Sequence, residues 1–502
     1  MSYKYAMTDI TITKVNESYL IIKACEDLLS ELWARYSAYK AGYQFNPRFR
    51  NRIWDGKIHL FNIRSGVLPI GFLSDLLGYC KLKRYAYELE NIAAADLKCD
   101  IDETEYKKQI EKNMETSGFT LREYQDRAVR QALTYKKGIL LSCTGSGKSL
   151  MIYNAIRCLQ AKGLRKILLI VPNIILIDQM YDDLTDYGGE DYADCLATLG
   201  GGHKADFSKP VLISTWESLQ HKDADFFEDY DAVFVDECHG SKAMKLCDII
   251  KYCVNAKYKI GTTGTLPTDP GDQLVIKSLL GEVLFELKSK ELIELGVLTK
   301  IQIAGIYLKY PPEFVEQNRG REYQEEVRLV ESYPNRNAAL KAVIDHTNNN
   351  HNILLLVNHI QHIKDVTAWL NANYPSKKVS VISGSVNRND RAAIRTGLEQ
   401  EDGTILVATY ATMSTGVNIP KLHEVILYAN CKSKIKVLQT IGRGLRKHAT
   451  KDKIILYDII DDLSYQTSRG RVVDNYLVKH FKERCAYYAE QEFPIVTMSM
   501  NI

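Results

Sequence analysis

Residues 138–149 read Gly-Ile-Leu-Leu-Ser-Cys-Thr-Gly-Ser-Gly-Lys-Ser. The first four are a short apolar run with strand character, and residues 150–156, Leu-Met-Ile-Tyr-Asn-Ala-Ile, have a helical pattern. A glycine-bearing loop between a strand and a helix can close its backbone N–H groups on a polyphosphate, which then faces the helix N-terminus. In that reading Thr144, Gly145, Ser146 and Gly147 form the cradle. Lys148 reaches the outer phosphates, and the Ser149 hydroxyl can ligate Mg²⁺. The full pattern asks for glycine at 142, where this chain has Ser142, and an isolated Gly-Lys-Ser is more often an ordinary turn into a helix. A second stretch decides against the turn. Residues 236–239, Asp-Glu-Cys-His, end the apolar run Ala-Val-Phe-Val of 232–235, so two carboxylates sit at a strand tip. Asp236 can share the metal with Ser149, and Glu237 can orient and deprotonate a water. Together the two stretches predict nucleoside triphosphate hydrolysis.

The chain has 502 residues, room for about three domains that each bury a core. Charged residues make up 25% and hydrophobic ones 45%, which excludes a disordered chain. A net charge of +3 implies no partner, so any basic surface must come from local clustering. Eleven cysteines, an odd number without Cys-x-x-Cys, point to reduced thiols in an intracellular protein and not to a zinc site. No signal peptide or membrane span is expected; the chain reads as soluble, intracellular and monomeric.

Apolar runs alternate with helical patterns from about 118 to 285, with strands expected at 138–141, 166–171, 211–214, 232–235 and 258–262. A second set follows at 353–357, 379–382, 404–408, 424–428 and 453–457. Such alternation predicts two α/β lobes, each a parallel sheet covered by helices. The expected division is 1–105 as an N-terminal accessory domain, 106–285 as the first lobe and 286–502 as the second. Strands at 10–15 and 19–24 and a helix from about 26 to 41 are expected in the first part. Residues 99–117 read as a linker or exposed helix, and 308–335 as an insertion.

The second lobe carries Gln-Thr-Ile-Gly-Arg-Gly-Leu-Arg at 439–446. On a helix, Arg443 and Arg446 would share one face. Their bland reading is a solvated basic face, but Gly442 and Gly444 weaken a surface helix and suggest close approach of another body. Arginines brought to a phosphate stabilise charge in phosphoryl transfer.

The ordered set resembles the superfamily 2 helicases and translocases. Leu-Arg-Glu-Tyr-Gln (121–125) is similar to the element that reads adenine, and residues 142–149 are similar to motif I, in which Ser142 is normal. Val-Pro-Asn (171–173) with Gln179 resembles motif Ia. Ser-Thr-Trp-Glu-Ser-Leu (214–219) resembles the next DNA-contacting motif, and Asp-Glu-Cys-His resembles motif II. Thr-Gly-Thr (263–265) stands at motif III, 408–420 resembles motif V, and 439–446 resembles motif VI. The resemblance implies two tandem RecA-like lobes after a small α+β domain, with ATP and Mg²⁺ as cofactors. Arg122 and Gln125 would recognise adenine, Gly416 would lie at the nucleotide, and Asn418 stands where many relatives carry Asp. Gln439, Arg443 and Arg446 would complete the catalytic set with Lys148, Asp236 and Glu237. His239 would couple motif II to Thr263 and Thr265.

Residues 42–61, with 432–443 and 458–462, further resemble the UvsW family of phage recombination helicases. That resemblance implies an ATP-dependent enzyme acting in the host cytoplasm on branched, single- and double-stranded DNA, including R-loops that contain RNA. For DNA contact, the family motifs point to Pro172, Asn173, Thr215 and Thr409. Residues 432–453 hold eight Lys/Arg and one acid. Arg48, Arg50, Arg52, Trp54 and Lys57 fall among further aromatics, which suits phosphate gripping and base stacking. A small β-rich core with inward aromatics and solvated arginines fits the same pattern. Other readings of the whole chain are an RNA helicase, a restriction-type motor with a nuclease around Glu105-Tyr106-Lys107 and Asp100 or Asp102, and a nucleotide-gated binding protein without a motor cycle.

Overall fold

The computed structural model describes residues 8–202, 205–242, 244–383, 396–414, 419 and 421–502. The chain forms two compact units, residues 1–142 with 147–287, and residues 143–146 with 288–502.

The first unit opens with a four-stranded sheet in the spatial order Val67–Pro69, Tyr19–Ala24, Ile10–Lys14, Tyr87–Glu90. Ile10, Ile12, Leu20 and Ile22 alternate onto one face and pack with Leu28, Leu32, Phe61 and Leu76. The helix expected to run to residue 41 ends at Arg35. Ser37–Tyr39 instead pairs antiparallel with Lys57–His59, because tertiary pairing outweighs local propensity here. Residues 99–117 contain a true helix, Glu103–Met114, capped by Asp102, whose carboxylate accepts from the N–H groups of Thr104 and Glu105 at 2.9 and 3.0 Å. Tyr106 is buried on it and donates to Asp126 at 2.8 Å, so Glu105-Tyr106-Lys107 lies on a structural helix and not on the strand of a nuclease site.

The first α/β sheet follows in the same unit. Its seven strands run in the order Val283–Leu287, Lys137–Ser142, Tyr258–Thr263, Ala232–Asp236, Ile167–Val171, Val211–Thr215, Leu196–Leu199. Every pairing is parallel. Ile167–Val171 is buried at all five positions, as expected of a strand covered on both faces. The N-terminal domain is pinned to this sheet by polar contacts. Glu17 N–H donates to Val254 O at 2.8 Å, and the buried Lys259 ammonium donates to Ser18 Oγ at 2.7 Å.

The second unit holds another seven-stranded parallel sheet, in the order Val379–Ile382, Ile405–Thr409, Ile353–Val357, Glu424–Leu427, Lys453–Asp462, Lys300–Lys309, Ile495–Asn501. Two buried arginines tie its flanking segments to the strand Lys453–Asp462. Arg484, on the helix Tyr476–Glu490, grips both oxygens of Asp458 at 2.8 Å, and Tyr488 donates to the same carboxylate. Arg336 grips Asp461 at 2.8 and 2.9 Å and donates to Tyr428 O at 2.6 Å. Fork-to-carboxylate pairing satisfies charges that burial would otherwise make costly. The stretch expected to be an insertion contains two helices, Pro312–Asn318 and Tyr323–Glu331. Among the described residues no helix is long and apolar enough to cross a membrane.

Candidate active site and nucleic-acid interface

Three adjacent strands, Lys137–Ser142, Tyr258–Thr263 and Ala232–Asp236, bring their C-terminal ends together. That edge is where parallel α/β sheets bind ligands. Gly145 and Gly147 take φ of +88° and +82°, so the loop turns through backbone conformations that side chains resist. A Cβ on Gly147 would also stand 2.4 Å from Gln125 Nε2. The helix Lys148–Ala161 begins directly after it.

Lys148 Nζ lies 3.5 Å from Glu237 Oε1 and 3.4 Å from Ser142 O. Glu237 itself has φ of +49°, rare for a residue with a side chain and found where a site imposes it. His239 Nδ1 is 3.2 Å from Glu237 Oε2 and 3.0 Å from Thr263 Oγ1, so the expected coupling of motif II to Thr263 exists as a contact. Thr263 Oγ1 stands 3.2 Å from Glu237 Oε2 and 3.1 Å from Thr265 O, and its single proton serves one acceptor at a time. Thr262 donates to Asp236 Oδ1 at 2.7 Å.

Burial, then the neighbouring Glu237, push the Asp236 carboxyl above its usual range, against the pull of Lys148 and Thr262. Burial also raises Glu237, but Lys148, His239 and Thr263 outweigh it and hold that carboxyl well below the usual range. Two enclosed carboxylates thus share one lysine, leaving negative charge that a divalent cation would neutralise. Asp236 and Ser149 offer hard oxygen donors of the kind Mg²⁺ takes, so the residues fit that ion.

The structure reveals one partner that the sequence did not. Tyr187 OH lies 3.1 Å from Ser149 Oγ, and its ring packs edge-on against Phe119 with centroids 5.4 Å apart. Gln125 is buried, and its Oε1 accepts from Arg122 N–H at 2.9 Å. Gly416 and Asn418 lie outside the described residues.

In the second unit, Gln439 and Arg443 sit on the helix Lys434–Gly444. Arg446 does not continue that helix: it lies beyond it, bridged antiparallel to Leu298, which corrects the expectation that both arginines share a helical face. The chain turns there because Thr299 N–H captures Leu445 O at 2.8 Å. Gly444 is needed within its own lobe, since a Cβ there would stand 2.4 Å from Ile454 Cδ1.

The expected DNA contacts divide. Arg48, Arg50 and Arg52 are exposed, and Phe45 is 74% exposed beside them. Phe61 is buried in the core and Trp54 donates to Lys57 O at 2.8 Å, so the aromatics serve both surface and interior. Lys57 stands over the Tyr39 ring at 5.0 Å. Pro172 precedes Asn173, whose side chain caps the helix Ile174–Gly188 by accepting from Leu176 N–H at 3.1 Å. Thr215 and Thr409 engage their hydroxyls locally. Both are buried, and their hydroxyls accept from Ser218 N–H at 3.3 Å and Thr412 N–H at 3.2 Å as caps of the short helices that follow.

Fold and site together define a superfamily 2 helicase. Residues 118–268 match the family model of the type III restriction enzyme res subunit, and residues 335–448 match the helicase conserved C-terminal domain. Residues 9–90 match the N-terminal domain of DNA helicase UvsW. The chain belongs to the UvsW family: it is 31% identical to the ATP-dependent DNA helicase uvsW of Enterobacteria phage T4 over 98% of its own length and 100% of that protein's. The crystal structure of T4 UvsW superposes with a TM-score of 0.51 at 30% identity, covering 98% of this chain and 100% of that one. A DNA 3'-5' translocase of Sulfurisphaera tokodaii is 23% identical over 70% of this chain and 84% of its own. The fold is shared with yeast Dbp5, at a TM-score of 0.51 and 14% identity over 78% of this chain and 93% of that one.

Proposed function

We propose that this chain is an ATP-dependent DNA helicase and branch-migrating translocase that acts as a monomer on forks, Holliday junctions, D-loops and R-loops in recombination, repair and replication. The observation that carries the reading is the direct pairing of Lys148 with Glu237, extended through His239 to Thr263. Thr144, Gly145, Ser146 and Gly147 cradle the phosphates and Lys148 binds the outermost. Gln125 with Arg122 reads adenine. Ser149 and Asp236 would hold Mg²⁺, whose charge would offset that of the phosphates. As Lys148 turns to phosphate, Glu237 loses the cation that depresses its basicity and becomes competent to take a proton from the attacking water. Gln439, Arg443 and Arg446 complete the catalytic set.

Single-turnover and steady-state ATP hydrolysis, with strand remodelling followed in parallel on forked DNA, R-loops, single strands and RNA, tests the proposal. Forked DNA should stimulate most. Hydrolysis indifferent to added DNA would overturn the motor reading, and greater stimulation by RNA would favour an RNA helicase.

A further inference from the structure

Past the strand Lys453–Asp462 stands a charged element that the ATP site does not use. This strand has ten residues, but its neighbour Glu424–Leu427 pairs only with Ile455–Asp458. Ile459–Asp462 runs on beside Ile306–Lys309 and so overhangs the end of Leu427 by roughly 13 Å. From the overhang springs an antiparallel hairpin, Tyr465–Gln466 against Val472–Val473. Its turn, Thr467-Ser468-Arg469-Gly470-Arg471, is held by Thr467 N–H to Arg471 O at 2.8 Å and by Gly470 N–H to Thr467 O at 2.9 Å. Asn475 fixes the base. Its Oδ1 accepts from Leu463 N–H at 3.2 Å, and its amide donates to Asp461 O at 3.0 Å and Glu326 Oε1 at 2.6 Å.

A rigid base under a basic tip is an expensive ornament unless something meets the tip. Arg469 and Arg471 are exposed. Residues 463–482 contain four Lys/Arg and a single acid, Asp474, which pairs with Lys482. Aromatic faces lie among the cations: Lys479 stands 5.2 Å from the Tyr476 ring centroid and Arg319 stands 5.9 Å from that of Tyr465. Because the sheet is parallel throughout, the hairpin rises from its carboxyl edge, whereas the end of the helix Lys434–Gly444 lies at the amino edge, where Thr299 N–H captures Leu445 O.

We propose that the hairpin is a DNA-contact element of the second lobe, with Arg469 and Arg471 gripping two backbone phosphates; this rests on the DNA-helicase reading. Guanidinium forks suit phosphate, and such contacts are sequence-independent. The test is fluorescence anisotropy of labelled forked DNA with the full chain across a salt series, comparing wild type with the Arg469→Ala/Arg471→Ala double variant. The salt slope of log K should fall by about 1.8, near 0.9 for each phosphate that an arginine no longer neutralises. Binding of a fluorescent ATP analogue should stay unchanged. Arg469→Lys/Arg471→Lys should recover most of the slope, and Lys300→Ala, at the opposite edge of the sheet, should leave it intact. A double-alanine slope equal to wild type would overturn the proposal while leaving the helicase reading standing. A wild type that binds no DNA at any salt would overturn both.

Discussion

Lys148 and Glu237, eighty-nine positions apart, hold each other at 3.5 Å, so the cation proposed to bind phosphate and the carboxylate proposed to activate water neutralise one another within a single site. Removing either partner should therefore act differently on binding and on chemistry. Lys148→Ala should abolish DNA-stimulated hydrolysis and weaken nucleotide binding. Glu237→Gln should abolish hydrolysis but bind ATP as well as or several-fold better than wild type, because Lys148 no longer leaves a charged partner to meet phosphate. Equilibrium titration with a fluorescent ATP analogue separates the two, and weaker ATP binding by Glu237→Gln would show that the pair does not compete.

The Arg484–Asp458 clamp predicts a purely structural lesion. Both residues are buried, and breaking such a pair from one side leaves an uncompensated charge at a cost of about 3–5 kcal/mol. Arg484→Met should lower the denaturation midpoint, and hydrogen exchange should rise first across the helix Tyr476–Glu490 and the edge strand Ile495–Asn501. The double variant Asp458→Asn/Arg484→Met should lose less than the sum of the two single ones.

The N-terminal surface predicts selectivity by DNA shape. Arg48, Arg50 and Arg52 are exposed and follow an exposed Phe45 in the chain, a pattern fitted to phosphates and unstacked bases. Replacing the three arginines with alanine should reduce affinity for forked DNA more than for linear duplex in parallel anisotropy titrations. Equal loss on both would count against a role in reading junctions.

What the sequence made legible follows from burial. Strands such as Ile167–Val171 and Ile353–Val357 are covered on both faces and so appear as unbroken apolar runs. The edge strand Ile495–Asn501 is largely exposed and reads Ile-Val-Thr-Met-Ser-Met-Asn, with no such run to betray it. Lys300–Lys309 interleaves Gln302 and Gly305 among its apolar residues, which hides it between the two lobes' clearer runs. Phosphate and acidic motifs were visible because their chemistry is local. Tyr187 was not, since its partner Ser149 lies 38 positions away and nothing in a tyrosine announces it. Asp458 and Asp461 lie in the stretch 458–462 that carries the family resemblance, yet their arginines are 26 and 125 positions distant, so the pairing left no local trace.

The buried Lys259 gives the pH prediction. Its ammonium meets Ser18 Oγ at 2.7 Å and Ile250 O at 3.0 Å where the N-terminal domain joins the first α/β sheet, and burial pulls its pKa down to about 7. The unfolded chain keeps this lysine protonated up to its ordinary value of 10.5. Between those limits the unfolded state binds more protons than the folded one, so stability rises with pH across the window from about 7 to 10.5. The slope due to this one group is at most about 1.4 kcal/mol per pH unit. Below pH 7 both states carry the charge, and the full burial cost is present. Lys259→Met should therefore gain most over wild type at pH 6.5 and progressively less at pH 8 and 9.5, measured as the difference in urea unfolding midpoints. Parallel curves for the two proteins across that range would show that Lys259 keeps an ordinary pKa in the folded chain.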